Sequence, residues 1–209
     1  GGMRCDFGEL PEGAERDGGA EKAGSAHQRG VRLRLGRNDK EPRMKRVVLG
    51  LGTNLGDRRE NLRAALAALS HLPKTEVEKV SSVWQTAPFD VPDEQQDYWN
   101  ICVLLKTDLS PNALLGACLG IEAAMGRVRK IYHGARCMDL DVLLYENFAQ
   151  RGKELNVPHP GIRERAFVLF PLLELFPEKN AFGFDFADAP GFKDGDDVQR
   201  VGAAEEILD

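Results

Sequence analysis

Residues 45–69 read KRVVLGLGTNLGDRRENLRAALAAL, and within this stretch the spacing of apolar residues changes once. Val47, Val48, Leu49 and Leu51 form a short β-branched run ending in glycines, so Arg46–Leu51 reads as a buried strand. Asp57–Leu69 then reads as a helix. Asp57 and Glu60 stand at capping-box spacing, and Leu62, Leu66 and Leu69 fall on one stripe. The glycine-rich run between them, Gly50 to Asp57, has neither the Gly-Lys-Ser/Thr ending of a P-loop nor the G-x-G-x-x-G spacing of a dinucleotide fold. It reads as a tight strand-to-helix turn, of a kind that can still border a site.

Outward from this unit the elements alternate. Glu76–Thr86 alternates as a long strand that stops at Ala87-Pro88, and Tyr98–Thr107 makes another. Ser110-Pro111 opens a second helix, with Ser as N-cap and Pro at the first helical position, and it runs to about Met125 before Gly126. Met138–Tyr145 is a strand and Arg163–Leu175 a third helix. The order β-α-β-β-α-β predicts an α+β, ferredoxin-like sandwich: an antiparallel sheet with helices on one face, plus an extra C-terminal helix. The second face is then expected to stand open for function. Residues 1–43 carry almost no periodic apolar pattern and read as a disordered N-terminal extension. Residues 44–179 form the expected domain, and 180–209, where the pattern dissolves into Phe, Gly and Asp, read as an acidic, loosely structured tail.

The 209-residue chain is 42% hydrophobic, which suits a globular domain with a buried core. Its net charge of −5 is unevenly placed, for residues 44–179 carry 17 basic and 17 acidic side chains. A nucleic-acid binder would concentrate a basic surplus on its folded part. The sequence lacks an uninterrupted apolar run of about 18 residues and a basic-apolar-small leader pattern, so no membrane association and a cytoplasmic location are expected. The four cysteines form no C-x-x-C pair and the four histidines no zinc-type spacing, as expected of reduced thiols.

Chemistry concentrates at Met138-Asp139-Leu140-Asp141-Val142-Leu143-Leu144-Tyr145. In a strand Asp139 and Asp141 share one face, roughly 6.5–7 Å apart, where two carboxylates can converge on a pair of Mg²⁺ ions. Taken alone, the pair could equally be two surface acids on a solvated strand. The segment before it shifts the balance: Arg127, Arg129, Lys130 and Arg136 sit in a loop containing Gly126 and Gly134 that feeds into the acidic strand. Guanidinium groups offer fixed bidentate donors to polyphosphate. Cations poised over two carboxylates describe a phosphoryl-transfer site.

Taken together, GLGTNLGDR (50–58), VSSVWQTAPF (80–89), DYWN (97–100), GRVRK (126–130), GARCMDLDVLLY (134–145) and VPHPGIRERAFVLFPL (157–172) closely resemble the 6-hydroxymethyl-7,8-dihydropterin pyrophosphokinase family over roughly Lys45–Glu178. The resemblance implies Mg²⁺-dependent transfer of pyrophosphate from ATP to the hydroxymethyl pterin in folate biosynthesis, with AMP released. It implies two Mg²⁺ ions held by Asp139 and Asp141, and catalytic roles for these two and for Arg127 and Arg136. It places ATP against Glu122, Arg129, Lys130, Val142, Leu155, Asn156, His159 and Arg165. It places the pterin between Tyr98 and Phe167, with Asn100 and the turn of Thr86, Ala87 and Phe89 at its edge. A two-aromatic sandwich suits a flat heterocycle, and an Asn amide can both donate and accept at its rim. The partners expected are these small molecules alone, with the chain a monomer.

Two departures from the family pattern stand out. The family commonly has an aromatic and Gly-Pro-Arg before the acidic strand, whereas this chain has Tyr132-His133-Gly134-Ala135-Arg136, so either Tyr132 or His133 is the nucleotide-stacking side chain. Thr86-Ala87-Pro88 replaces the commoner Thr-Pro-Pro. The alternative from another class is a non-catalytic ferredoxin-like nucleotide- or RNA-binding module. It calls for exposed aromatics on a basic sheet, and the balanced charge of residues 44–179 speaks against it.

Overall fold

A computed structural model of the chain describes residues 44–88, 95–126 and 137–208. The period switch at the start is borne out: β1 covers Lys45–Thr53 and α1 covers Arg58–Ser70. The Asp57 carboxylate accepts the Glu60 N–H at 3.0 Å, the first half of a capping box. Strand β1 outlasts its apolar run because Gly52 and Thr53 still pair with Asn100 and Trp99. Glu76–Thr86 is two strands rather than one, β2 (Thr75–Val80) and β3 (Val83–Thr86), both paired with β4 (Tyr98–Thr107). The break falls at Ser81, whose hydroxyl accepts the Cys102 N–H and whose own N–H donates to the Cys102 carbonyl, each at 2.9 Å.

Helix α2 (Pro111–Ala124) starts where Ser110 Oγ accepts the Ala113 N–H, and β5 spans Asp139–Tyr145. After a small ladder of β6 (Gln150–Arg151) and β7 (Asn156–Val157) comes α3 (Ala166–Leu175). It begins three residues later than the periodicity predicts. Arg163 is engaged elsewhere, donating to the Asp185 carbonyl and the Asp188 carboxylate at 2.7 and 2.6 Å.

The central sheet is antiparallel: β10 (Val198–Gly202), β3, β4, β1 and β5 lie side by side in that order, with β2 also beside β4. On one face Leu49, Leu51, Ile101, Val103, Leu140 and Val142 pack with Leu62, Leu69, Leu114 and Cys118 of α1 and α2. The second face is not left bare as expected. Val48, Cys102, Leu104, Leu143 and Leu144 present apolar side chains there, and Val168, Leu169, Leu172 and Leu175 of α3 cover them.

The segment after Lys179 also differs from the loose tail read in the sequence. A hairpin of β8 (Asn180–Ala181) and β9 (Phe184–Asp185) leads into a 3-10 stretch, Pro190–Asp197. Strand β10 (Val198–Gly202) then pairs with β3, and α4 (Ala204–Leu208) follows it. Phe186 is fully buried and Phe192 stacks edge-on against Phe170 of α3 at 5.7 Å. These two aromatics follow neither a helical nor a strand period, yet they pack into the second core, while the acids of the segment whose burial is described stay exposed.

Candidate active site

The floor of a cleft of about 310 Å³ is set by strand register. Gly50 of β1 lies between Cys102 and Asp141, and Gly52 between Asn100 and Asp139. All six residues therefore share one sheet face and line the cleft. The glycines keep that floor low. A Cβ on Gly52 would stand 3.1 Å from Asn100 Oδ1, and one on Gly50 would stand 3.1 Å from the Leu143 side chain. A register shift between Val48 and Leu49 leaves Leu143 bulged into the cleft beyond the acid pair.

Thr86, Tyr98 and Asn100 form one wall, and Arg165, Phe167 and Val168 the other. Asn100 is 6% exposed and donates through Nδ2 to Thr86 Oγ1 at 3.0 Å. Phe167, at the start of α3, is 37% exposed, and the Arg165 guanidinium lies 5.7 Å from its ring centroid. An exposed ring facing a tyrosine-bearing wall offers a flat, apolar slot beside two carboxylates. The Cys102 thiol is pushed far up in pKa, first by burial and then by the Glu174 carboxylate, so it contributes a neutral wall.

The remaining residues singled out in the sequence fall around this cleft or beyond it. Glu122 is buried on α2, and its Oε1 accepts the Leu140 N–H at 2.8 Å, bracing β5 between the two acids. Val142 and Leu155 are buried in the core beneath the helical layer. Asn156 Oδ1 accepts the Gly152 N–H at 3.2 Å, and Ala87 is exposed just past β3. Phe89, Arg127, Arg129, Lys130, Tyr132, His133 and Arg136 lie outside the described residues.

His159 is half-buried, and its N–H donates to the Leu143 carbonyl at 2.8 Å. Its Nδ1 accepts the Gly161 N–H at 3.2 Å, which leaves Nε2 to carry the proton of the neutral ring. Burial lowers its pKa, aided by Arg165 and Arg151, against an upward pull from Asp141 and Asp139. An imidazole NMR titration is therefore expected to show a midpoint below the ordinary value of about 6.5. The unfolded chain then takes up this proton first as pH falls. The contribution of His159 to stability is present above about 6.5 and lost as pH drops towards its folded midpoint.

Sequence reasoning thus missed Cys102, Leu143 and Val168 as lining residues, and it had the glycines only as possible neighbours. Pairing register was the signal that would have found Cys102, Leu143 and the glycines.

Residues 48–177 match the family profile described as 7,8-dihydro-6-hydroxymethylpterin-pyrophosphokinase. A curated relative from Methylorubrum extorquens, named 2-amino-4-hydroxy-6-hydroxymethyldihydropteridine pyrophosphokinase, is 40% identical over 159 residues, which cover 76% of this chain and 99% of that one. A relative of the same name from Bacillus subtilis is 42% identical over 129 residues, covering 62% of this chain and 77% of its own. The solved structure of Plasmodium falciparum HPPK-DHPS wild type with SDX-DHP matches with a TM-score of 0.54 at 15% identity, over 75% of this chain and 47% of that one. The chain spans a little under half the length of that solved structure, and the likeness to it is one of fold.

Proposed function

This chain belongs to the 7,8-dihydro-6-hydroxymethylpterin-pyrophosphokinase family, and on that premise we propose that its cleft transfers pyrophosphate from ATP to 6-hydroxymethyl-7,8-dihydropterin in folate biosynthesis. The observation that carries this reading is the placing of Asp139 and Asp141 on one face of a single cleft whose walls bear Tyr98 and Phe167. The pterin ring lies between those two rings, its edge read by Asn100, Thr86, Ala87 and Phe89. Its hydroxymethyl oxygen attacks the β-phosphorus of ATP. The bond from that phosphorus to the α–β bridging oxygen breaks, AMP leaves, and the hydroxyl proton passes to solvent.

The donor set fits magnesium. Among the described residues no group of three or more His, Cys, Asp or Glu could form a protein-only cage, and two carboxylates facing a cleft are what Mg²⁺ takes alongside water and phosphate oxygens. Asp139 and Asp141 would hold two such ions, which when bound neutralise phosphate charge and favour an in-line displacement. Arg127 and Arg136 steady the transferring group. Arg129 and Lys130 help hold the nucleotide, with Asn156, His159 and Arg165 around it. Val142 and Leu155, being buried, meet it through their backbones, while Glu122 acts on β5 from behind. An interaction made mainly in the transition state lowers kcat when it is removed and leaves ground-state binding little changed, so Arg136→Ala is expected to lower kcat roughly a hundredfold with pterin affinity retained. Arg136→Lys should recover only part of it, since an ammonium lacks the bidentate fork.

The test of the reading is AMP release from ATP with and without the hydroxymethyl pterin. Release that depends on the pterin supports it, and release indifferent to the pterin overturns it. The non-catalytic alternative finds no support among the relatives, since the two curated ones named above are both pyrophosphokinases.

A further inference from the structure

The two walls of the cleft meet again away from the acid pair, at a single carboxylate. Phe167 and Glu174 are seven residues apart on α3, two helical turns or about 10 Å, so they project from the same side of the helix. Opposite them, just after Ser82, Trp84 and Thr86 alternate onto one face of β3, with Trp84 paired to Asn100 and Thr86 to Tyr98. Glu174 spans the gap. Its Oε2 accepts the Ser82 N–H at 2.7 Å and its Oε1 accepts the Trp84 indole N–H at 2.9 Å. Arg200 of β10 closes the group, with Nε 3.8 Å from Glu174 Oε1 and donating to Ser82 Oγ at 2.9 Å.

We propose that Glu174, supported by Arg200, is a positioning residue that fixes the slot between Phe167 and the wall of Thr86, Tyr98 and Asn100, and so tunes affinity for the flat heterocycle without touching it. The inference rests on the reading of this cleft as the pterin site. Apolar packing of Leu169, Leu172 and Leu175 holds α3 on the sheet but is non-directional, and it leaves the helix free to slide. Bonds from two donors to separate oxygens of one carboxylate fix both rotation and distance. Within α3, Pro171 offers no N–H to the Phe167 carbonyl, so the helix lacks one of its own internal bonds at that residue. The upward push of Glu174 on the Cys102 thiol fits a carboxylate standing close behind the cleft wall.

Glu174→Gln is the discriminating change. A glutamine can accept one of the two N–H groups but must turn an NH₂ donor towards the other. The measurements are isothermal titration of 6-hydroxymethyl-7,8-dihydropterin in the presence of α,β-methylene ATP, separate titration of that nucleotide, steady-state kinetics, and thermal melting. In Glu174→Gln the pterin dissociation constant and KM are expected to rise roughly tenfold, as for a reacting group displaced by a fraction of an ångström. Nucleotide affinity should stay within about twofold, because the bracket contacts neither the acid pair nor His159. Arg200→Ala, at a half-exposed side chain, should shift pterin affinity in the same direction but less, and it carries the test should Glu174→Gln fail to fold. Unchanged pterin affinity in a folded variant overturns the proposal, as does an equal loss of both affinities that tracks the melting temperature. Failure of the parent chain to bind the pterin overturns the premise instead.

Discussion

Asp139→Ala and Asp141→Ala are each expected to abolish turnover while leaving the melting curve close to that of the parent chain. Both side chains line the cleft rather than either core, so their removal opens no cavity. Their backbones stay in register with Gly52 and Gly50 whatever the side chain, because β5 is held by its ladder to β1 and by Glu122 under Leu140. What disappears is charge where the phosphates would lie, an effect of at least 10²–10³-fold by analogy with other electrostatic stabilisers, hence roughly that or more here. Circular dichroism and AMP release measure the two halves of the claim. More than about a tenth of parental activity in either variant would sink the metal assignment, since a lost metal ligand costs more than that.

A chain ended after Lys179 is expected to lose its cooperative fold, the larger of the two effects on stability. The deletion takes Ala181, Phe186 and Ala189 out of the second core and removes Phe192 from the face of Phe170. Truncating a single buried Phe to Ala costs about 3–5 kcal/mol, against a total stability of about 5–15 kcal/mol for a typical domain. The edge of β3 is stripped of its partner as well. Soluble yield and a thermal melt decide the matter. A truncated chain that melts within a few degrees of the parent would return residues 180–208 to the role of a tail.

How much of this was legible follows from range. The β1–α1 switch, the Ser110-Pro111 helix start and the shared face of Asp139 and Asp141 are local patterns, carried by neighbours in sequence. The resemblance to the family supplied Tyr98, Asn100 and Phe167, which the fold brings to one cleft. What escaped depends on partners far along the chain. Cys102 and Leu143 became lining residues only through β-register and a bulge. Ser81 broke a strand because its hydroxyl reached Cys102. Glu174, inside LLEL, looks like one surface acid among many until Ser82 and Trp84 are placed against it. Phe184 and Phe192 both pack on Phe186, and Phe192 reaches back to Phe170 of α3, contacts that no local period announces.

Because β10 borders β3, the two halves of one hydrogen-bonded ladder are made far apart in time. A ribosome adds about 5–20 residues per second, so roughly 6 to 20 seconds pass between synthesis of Thr86 and of its partner Val198. Throughout that interval the nascent sheet presents Val83–Thr86 as an open border, able to recruit a strand from a neighbouring nascent chain on the same message. Translation speed over the codons for residues 180–208, and the chaperones that shield that border meanwhile, should therefore govern the yield of competent protein.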